Sequence, residues 1–184
     1  AFLSAGYLSE NKTLFKNCKI VSSGTYVILT DVELVFEYHN FIFKKIILPD
    51  SEIIKKSIQH LESSMKRVLL SIGNKEIWLP LSGGYDSRLL LCVLKKLGVQ
   101  NVNCFTYGFK GSQEVEISKK VANSLDYPWH FVEYNKEKFL KIANLIEKDY
   151  MFWSMNLNSC PHDQDFIALK ELKDKGLINK GSVI

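Results

Sequence analysis

LPLSGGYDSRLLL, from Leu79 to Leu91, places two adjacent glycines, two serines and an acid between two apolar runs. The segment EIWLPL, which overlaps the first three residues of this stretch, has the composition of a buried strand. The leucine-rich run after Asp86 has helical spacing. The stretch therefore predicts a strand that ends near Leu81, a short loop and a helix that begins near Asp86. Pro80 cannot donate a ladder hydrogen bond, so we place it near the end of the strand.

Strand-like and helix-like segments alternate along the rest of the chain. NVNCFTY and WHFVEY are the next predicted strands, and predicted helices with Ser112 and Asn135 as N-caps follow them. A further helix is predicted over about 163–175, and the final GSVI resembles the beginning of another strand. Alternation with short connections predicts an α/β fold, a parallel sheet with helices on both faces.

Two predicted helices flank the first strand, and their apolar faces follow from the spacing. From Asp50 onward the apolar positions are Ile54, Ile58, Leu61, Met65 and Val68. After the loop they are Leu89, Leu90, Val93, Leu94 and Leu97. Cys92 and Cys104 lie inside apolar runs and are predicted to be small core residues.

Residues 1–48 have a different pattern, with TYVILT, ELVFEY and FIFKKIIL separated by polar turns. This pattern predicts a short β-rich segment. We therefore expect two parts, the β-rich segment over 1–48 and an α/β domain over 49–184. The chain begins at Ala1 without a methionine, and we expect it to be a fragment of a longer protein.

Composition limits the classes of function. The hydrophobic fraction of 46% and the charged fraction of 24% are ordinary for a globular protein. The net charge is +4 with scattered lysines, which favours a solvated surface over a nucleic-acid groove. The cysteines form no CxxC pair, and no apolar run reaches the roughly 20 residues that span a bilayer. We expect a cytoplasmic protein that binds neither nucleic acid nor membrane.

The loop after the first strand lies where parallel sheets bind ligands, outside the carboxyl ends of the strands. Gly83 and Gly84 permit a positive φ and a close approach of the backbone to a ligand. Loop N–H groups and the first turn of the following helix form a cradle for an anion. Ser82 and Ser87 add hydroxyl donors suited to phosphate oxygens.

Asp86 places a carboxylate beside this cradle. It would repel bound phosphates unless a cation intervened, and Mg²⁺ bound by a carboxylate and phosphate oxygens removes the conflict. The alternative is that Asp86 is a helix N-cap and that Gly83 and Gly84 form a tight turn. That alternative leaves the two serines and the position at a strand's carboxyl end unexplained.

The string SGGYDS, Ser82 to Ser87, matches the SGGxDS loop of the N-type ATP pyrophosphatases and lacks the Gly-Lys-Ser/Thr of a Walker loop. The text after it, VNCFTYGFKGSQEVEISKKVANSLDYPWHFVEY, resembles the glutamine-hydrolysing asparagine synthetase family. GYLSENKTLFKNCKIVSSGTYVILT is similar to the end of that family's glutaminase domain. The resemblance implies an adenine nucleotide alpha hydrolase-like fold that is incomplete at its carboxyl end, with a glycine- and acid-rich loop expected after Ile184.

The resemblance also implies ATP and Mg²⁺ as cofactors and assigns residues to them. Asp86 would be the metal ligand and the catalytic residue. Those implied to hold pyrophosphate and Mg²⁺ are Ser82, Gly83, Gly84, Asp86 and Ser87. Those implied to border adenine and ribose are Leu81, Phe105, Tyr107 and Gly108. Glu114 would position the metal or the nucleotide. Core packing is the alternative for Phe105, and a first-turn acid that favours the helix dipole is the alternative for Glu114.

Three further residues are implied to border the substrate carboxylate. His162 and Asp163 lie in NSCPHDQDFIAL, and Arg88 follows the loop directly. The alternative for His162 is a role in helix capping, and for Arg88 it is a solvent-facing side chain.

The implied reaction is adenylation of a small carboxylate and then amide formation, with release of AMP and pyrophosphate. Ammonia, or glutamine-derived nitrogen from a glutaminase domain or partner, would supply the amine. Two other hypotheses are a tRNA- or sulfur-modifying adenylase that shares the loop, and a nucleotide-binding or assembly module without chemistry. A basic tract or paired cysteines would support the adenylase, and the sequence contains neither. A homodimer is one expectation for the assembly.

Overall fold

The computed structural model describes residues 6–8, 11–40, 42, 45, 47–145, 150, 154, 159 and 164–184. The chain divides into two compact units, Ala1–Ile47 with Leu145–Asp163, and Leu48–Asn144 with Gln164–Ile184. The division into domains over 1–48 and 49–184 stays a prediction.

The first unit contains an antiparallel strand pair, β1 (Thr25–Leu29) and β2 (Glu33–Glu37). The rings of Tyr26 and Phe36 stack across it with centroids 5.1 Å apart. The pair corresponds to TYVILT and ELVFEY, which confirms a short β segment before the α/β part. FIFKKIIL lies partly outside the described residues, and those of its residues that are described are not in a strand.

The second unit alternates helices and strands along the chain. Its elements are α1 (Asp50–Ile72), β3 (Ile77–Pro80), α2 (Tyr85–Lys96), β4 (Val102–Gly108), α3 (Gln113–Ser124), β5 (Trp129–Glu133), α4 (Lys136–Leu145) and α5 (Gln164–Asp174). The strands form a parallel sheet in the order β3-β4-β5. On the other side of β3, Val183 forms a parallel bridge with Ile77, and its carbonyl accepts the Trp78 N–H at 2.8 Å. GSVI therefore joins the sheet, as its composition predicts.

β4 divides the core between the two faces of the sheet because successive side chains alternate. The cluster on the α2 and α3 side consists of Leu81, Leu91, Leu94, Val102, Cys104, Ala122 and Tyr127. The cluster on the α5 side consists of Trp78, Phe105, Val132, Ala168 and Leu172. Helices thus cover both faces, which confirms the predicted α/β fold. Burial raises the pKa of the Cys104 thiol to about 12, so this thiol is an inert core group.

The side-chain caps predicted at Ser112 and Asn135 are present, and the predicted helix faces are partly wrong. Ser112 accepts the Val115 N–H at the start of α3, and Asn135 accepts the Lys138 N–H at 2.8 Å at the start of α4. In α2, however, Leu89 is 51% exposed. The buried residues of α2 are Leu91, Val93 and Leu94. Cys92 is exposed and not a core residue, because it points away from the stripe that packs on the sheet.

α1 forms where the spacing predicts it, but its apolar face is only partly covered. Met65 and Leu69 pack against the core cluster on the α2 side. Ile54 and Ile58 are 59% and 44% exposed, and no residue of α1 is buried. The spacing thus predicts the helix correctly, while only the part near its carboxyl end packs against the sheet domain.

Glu76 ties the last segment of the chain to the amino edge of the sheet. Its carboxylate accepts hydrogen bonds from Asn103 at 2.9 Å, Ser182 at 2.8 Å and Asn179 at 3.4 Å. The Trp78 indole N–H lowers the pKa of Glu76 most, followed by Ser182, with smaller contributions from Asn179 and Asn103, while burial opposes them. Among the described residues, the indole N–H has no hydrogen bond of good geometry. We therefore attribute its effect to the nearby N–H dipole.

We expect Glu76→Gln to lower the melting temperature near neutral pH by about 3 °C. The pKa of Glu76 is lower in the folded chain than in the unfolded one. Its stabilising contribution is therefore complete above the unfolded-state pKa and disappears as the pH falls through the folded-state pKa. Thermal unfolding at about pH 7 and about pH 3 measures this, and the variant should lose less stability on acidification than the wild type. An equal loss, or an equal effect of the exposed-site change Glu116→Gln, would refute the assignment.

Candidate functional site

The SGGYDS loop, residues 82–87, leaves β3 at the carboxyl edge of the sheet. β4 and β5 lie on one side of β3, and Val183 lies on the other. The strand order therefore reverses at β3. In open α/β sheets, ligands bind at the carboxyl ends of the strands where such a reversal occurs.

The two serines close the loop on itself. The Ser87 hydroxyl accepts the Ser82 N–H at 3.1 Å, and the Ser82 hydroxyl accepts the Gly84 N–H at 3.1 Å. The two hydroxyl oxygens are 3.0 Å apart and share a hydrogen bond. Two loop N–H groups thus converge on the paired hydroxyls, which satisfy them, and the N–H groups in the first turn of α2 have no intrahelical acceptor. This arrangement suits an anion that accepts several hydrogen bonds.

The glycines serve close packing and not a positive φ. Gly84 has φ −73°, and Gly83 also lacks a positive φ. The prediction that these glycines permit a positive φ in the loop is therefore wrong. A Cβ on Gly83 would lie 3.2 Å from Cγ and 3.3 Å from Cα of Glu114. A Cβ on Gly84 would lie 3.2 Å from the Ser82 hydroxyl oxygen. A side chain at Gly83 would therefore crowd the first turn of α3, which packs directly against the loop.

Asp86 and Arg88 lie in the first turn of α2. Asp86 is exposed, and its charge is favourable at this positive end of the helix dipole. Arg88 donates from Nε to the Gly84 carbonyl at 3.0 Å, and its guanidinium lies 4.5 Å from the centroid of the Tyr85 ring. Arg88 thus braces the start of α2, and its predicted role toward a substrate stays a prediction.

A small cleft of about 170 Å³ lies beside the loop. Its lining residues are Pro80, Leu81, Ser82, Phe105, Thr106, Tyr107, Glu114 and Gln164. Five of the residues implied to bind nucleotide are therefore brought together.

Phe105 is fully buried in the core cluster on the α5 side, so most of its ring serves packing. Gly108 ends β4 with φ +143°, a conformation that favours glycine, and its carbonyl accepts the Tyr134 N–H at 2.8 Å.

A larger groove of about 900 Å³ lies at the opposite, amino edge, lined by residues that include Leu70, Lys75 and Gly98. It adjoins the carboxyl ends of α1 and α2, where the helix dipole disfavours anions. We therefore assign the site to the smaller cleft, where the loop N–H groups converge.

A pair of stacked tyrosines connects the cleft to α5. The rings of Tyr107 and Tyr134 stack with centroids 4.9 Å apart, and the Tyr107 hydroxyl donates to Asp165. Burial, and then the Asp165 carboxylate, raise the pKa of Tyr107, so its hydroxyl stays protonated. The Tyr134 hydroxyl donates to the Gln164 carbonyl and accepts the Ala168 N–H at 3.1 Å. Tyr134 and Asp165 are not predicted from the sequence, because no local pattern places them beside Tyr107.

His162 and Asp163 lie outside the described residues, directly before α5. Among the residues that are described, no group of three or more His, Cys, Asp or Glu side chains converges as a metal site. The loop therefore fits Mg²⁺ only in the mode in which Asp86 and phosphate oxygens together supply ligands. Within the described part of the chain, no helix is both long and apolar enough to cross a membrane.

Known proteins are similar to this chain in the part that contains the SGGYDS loop. The asparagine synthase family matches over residues 59–154. The chain is 34% identical over 85 residues to a probable asparagine synthetase (glutamine-hydrolysing) of Acanthamoeba polyphaga mimivirus, covering 46% of this chain and 15% of that protein. It is 30% identical over 80 residues to a tRNA(Ile)-lysidine synthase of Porphyromonas gingivalis, covering 41% of this chain and 18% of that protein.

The chain thus spans less than a fifth of the length of these curated relatives. Among solved structures, it is similar to a predicted subunit of a tRNA methyltransferase from Methanocaldococcus jannaschii. The identity is 20% and the TM-score 0.32, with 55% of this chain and 47% of that chain covered.

Proposed function

Since the chain belongs to the asparagine synthase family, we propose that it binds ATP at the carboxyl edge of its sheet and transfers AMP to a substrate carboxylate. The observation that carries the proposal is the geometry of the SGGYDS loop. Its N–H groups and paired hydroxyls converge at the start of α2, beside the cleft and at the reversal of strand order. This is an arrangement for a polyvalent anion next to a small planar ligand.

The described residues divide into two roles in this proposal. The N–H groups in the first turn of α2, with the hydroxyls of Ser82 and Ser87, bind the pyrophosphate part of ATP. Leu81, Tyr107 and Glu114 border the cleft that receives adenine and ribose. Asp86 would hold Mg²⁺, which when bound neutralises charge on the phosphates. These groups accelerate the reaction by positioning and by stabilising charge.

In the proposed chemistry, ATP is a substrate. A carboxylate oxygen bonds to the α-phosphorus, the bond from that phosphorus to the oxygen bridging to the β-phosphorus breaks, and pyrophosphate leaves into the loop. An amine nitrogen then bonds to the acyl carbon and loses a proton to solvent, and AMP leaves with the electrons of the broken C–O bond. The finer proposal is an asparagine-synthetase-like reaction, with ammonia or a glutamine-derived nitrogen as the amine.

A second candidate is a tRNA-modifying adenylase that uses the same loop. The similarity to the tRNA(Ile)-lysidine synthase favours it. The scattered lysines and the net charge of +4 weigh against a nucleic-acid surface on this part of the chain. A nucleotide-binding module without chemistry is the third candidate, and ATP binding without any exchange reaction would identify it.

Isotope exchange between pyrophosphate and ATP tests the proposal. The chain is assayed with Mg²⁺ and a panel of small carboxylates, and in parallel with bulk tRNA. Exchange that depends on one carboxylate supports the proposal, and exchange that depends on tRNA supports the second candidate. Absence of ATP binding at roughly millimolar Mg²⁺ would refute all three.

A further inference from the structure

Thr106 is a buried polar residue of β4 that lies directly beneath the loop. It is only 4% exposed. Its hydroxyl oxygen lies 2.7 Å from the Leu81 carbonyl oxygen, 2.9 Å from the Ser118 hydroxyl oxygen and 3.0 Å from the Trp129 indole nitrogen. A buried hydroxyl is tolerated when such partners satisfy it.

The direction of each hydrogen bond follows from what each partner can do. The Trp129 indole N–H can only donate, so Thr106 accepts from it. The Leu81 carbonyl can only accept, and its oxygen lies closer to the Thr106 hydroxyl oxygen than the Ser118 hydroxyl oxygen does, at 2.7 Å against 2.9 Å. We therefore assign the single proton of the Thr106 hydroxyl to Leu81. Ser118 has its own acceptor, the Val115 carbonyl at 2.9 Å. Thr106 therefore serves as the donor to Leu81, and the Trp129 indole N–H holds its hydroxyl in place.

Leu81 is thereby held by β4 at both of its backbone polar groups. Its N–H donates to the Phe105 carbonyl at 2.8 Å, and its carbonyl accepts from Thr106. The peptide bond between Leu81 and Ser82 is planar and trans, so the Ser82 N–H points opposite to the Leu81 carbonyl. That N–H donates to the Ser87 hydroxyl at 3.1 Å. The Thr106 hydrogen bond consequently fixes the direction of the first N–H of the anion loop.

We propose that Thr106 is a positioning residue for the anion loop and acts through the Leu81–Ser82 peptide. A valine would fill the same space on the strand, so the hydroxyl is what provides this function. The effect on ligand binding rests on the proposed function, whereas the effect on the loop backbone does not.

Three variants test this inference in the full chain. Thr106→Val removes the hydroxyl and keeps the shape of the side chain. Thr106→Ser restores the hydroxyl. Ser118→Ala is the matched control, because it removes a hydroxyl from the same buried network and leaves the bond between Thr106 and Leu81 in place. Thermal unfolding of each variant separates a change in the loop from a general loss of stability.

Amide hydrogen exchange of the ligand-free chain, followed by NMR, is the first measurement. Thr106→Val should accelerate exchange of the Ser82 N–H about tenfold, whereas Ser118→Ala should change it less than about twofold. Thr106→Ser should return it to the wild-type rate. Equal acceleration in Thr106→Val and Ser118→Ala, or none in either, would overturn the proposal.

Titration with pyrophosphate and Mg²⁺ is the second measurement. Thr106→Val should bind pyrophosphate about tenfold more weakly than the wild type, and Thr106→Ser should bind within about twofold of it. An unchanged affinity in Thr106→Val would overturn the role of Thr106 in binding. A wild-type chain that binds no pyrophosphate would overturn the proposed function, while the exchange rates would still decide whether Thr106 orients the loop.

Discussion

Replacing Asp86 by asparagine should reduce carboxylate-dependent exchange between pyrophosphate and ATP by more than about a hundredfold. The amide is neutral, so it cannot offset the charge of Mg²⁺ or hold the ion as a carboxylate does. Asp86 is exposed in the first turn of α2. The fold should therefore lose only the interaction with the helix dipole, about 0.3–1 kcal/mol. The exchange rate at saturating ATP and Mg²⁺ measures the first effect, and thermal unfolding measures the second.

Glu116→Gln is the matched control for this change. Glu116 is also an exposed acid in the first turn of a helix, α3, so the control removes the same charge from a similar environment outside the loop. Its exchange rate should stay within about twofold of the wild type. If Asp86→Asn exchanged as fast as Glu116→Gln, Asp86 would be only a first-turn acid without a metal. The alternative that Asp86 is the N-cap is wrong, because Gly84 occupies that position.

The fold was predictable because strands and helices differ in the period of their apolar residues. Ile77 to Pro80, the helix after Asp86 and the strand around Cys104 all appear where the local pattern predicts them. The face that a helix buries was less predictable. α2 buries Leu91 and leaves Leu89 half exposed, because the angle through which the helix is turned about its own axis decides which of two adjacent leucine stripes faces the sheet. Spacing within the helix contains no information on that angle.

In the candidate site, too, contacts between residues close in sequence were predictable, and contacts between residues far apart in sequence were not. The loop and its paired serines are contiguous in sequence, so their convergence could be expected from the motif. The partners that hold the loop are not contiguous. Thr106 of β4 bonds to Leu81 at the end of the neighbouring strand β3, and Asp165 of α5 bonds to Tyr107 of β4. Such contacts depend on strand register and helix placement, which hydrophobic periodicity leaves undetermined.

The two glycines of the loop differ in what surrounds them, and this difference leads to the second large effect. Gly83→Val should lower the free energy of unfolding by about 1–3 kcal/mol and weaken ATP binding. Its Cβ would lie 3.3 Å from Cα of Glu114, a backbone atom in the first turn of α3. The Ser112 cap holds that turn, so the loop must move instead. Thermal unfolding and titration with a fluorescent ATP analogue measure both effects.

Gly84→Val is the matched control for this argument, because it adds the same side chain one residue later. Gly84 has φ −73° and ψ 160°, which any residue adopts, and its added Cβ would approach only the Ser82 hydroxyl. We therefore expect Gly84→Val to lower the melting temperature less than Gly83→Val does, because the crowded atom belongs to a side chain and not to the backbone. It should still weaken ATP binding, since the new side chain obstructs the anion cradle. Equal melting temperatures for the two variants would show that α3 does not constrain the loop. Unchanged ATP affinity in Gly84→Val would show that the nucleotide binds elsewhere.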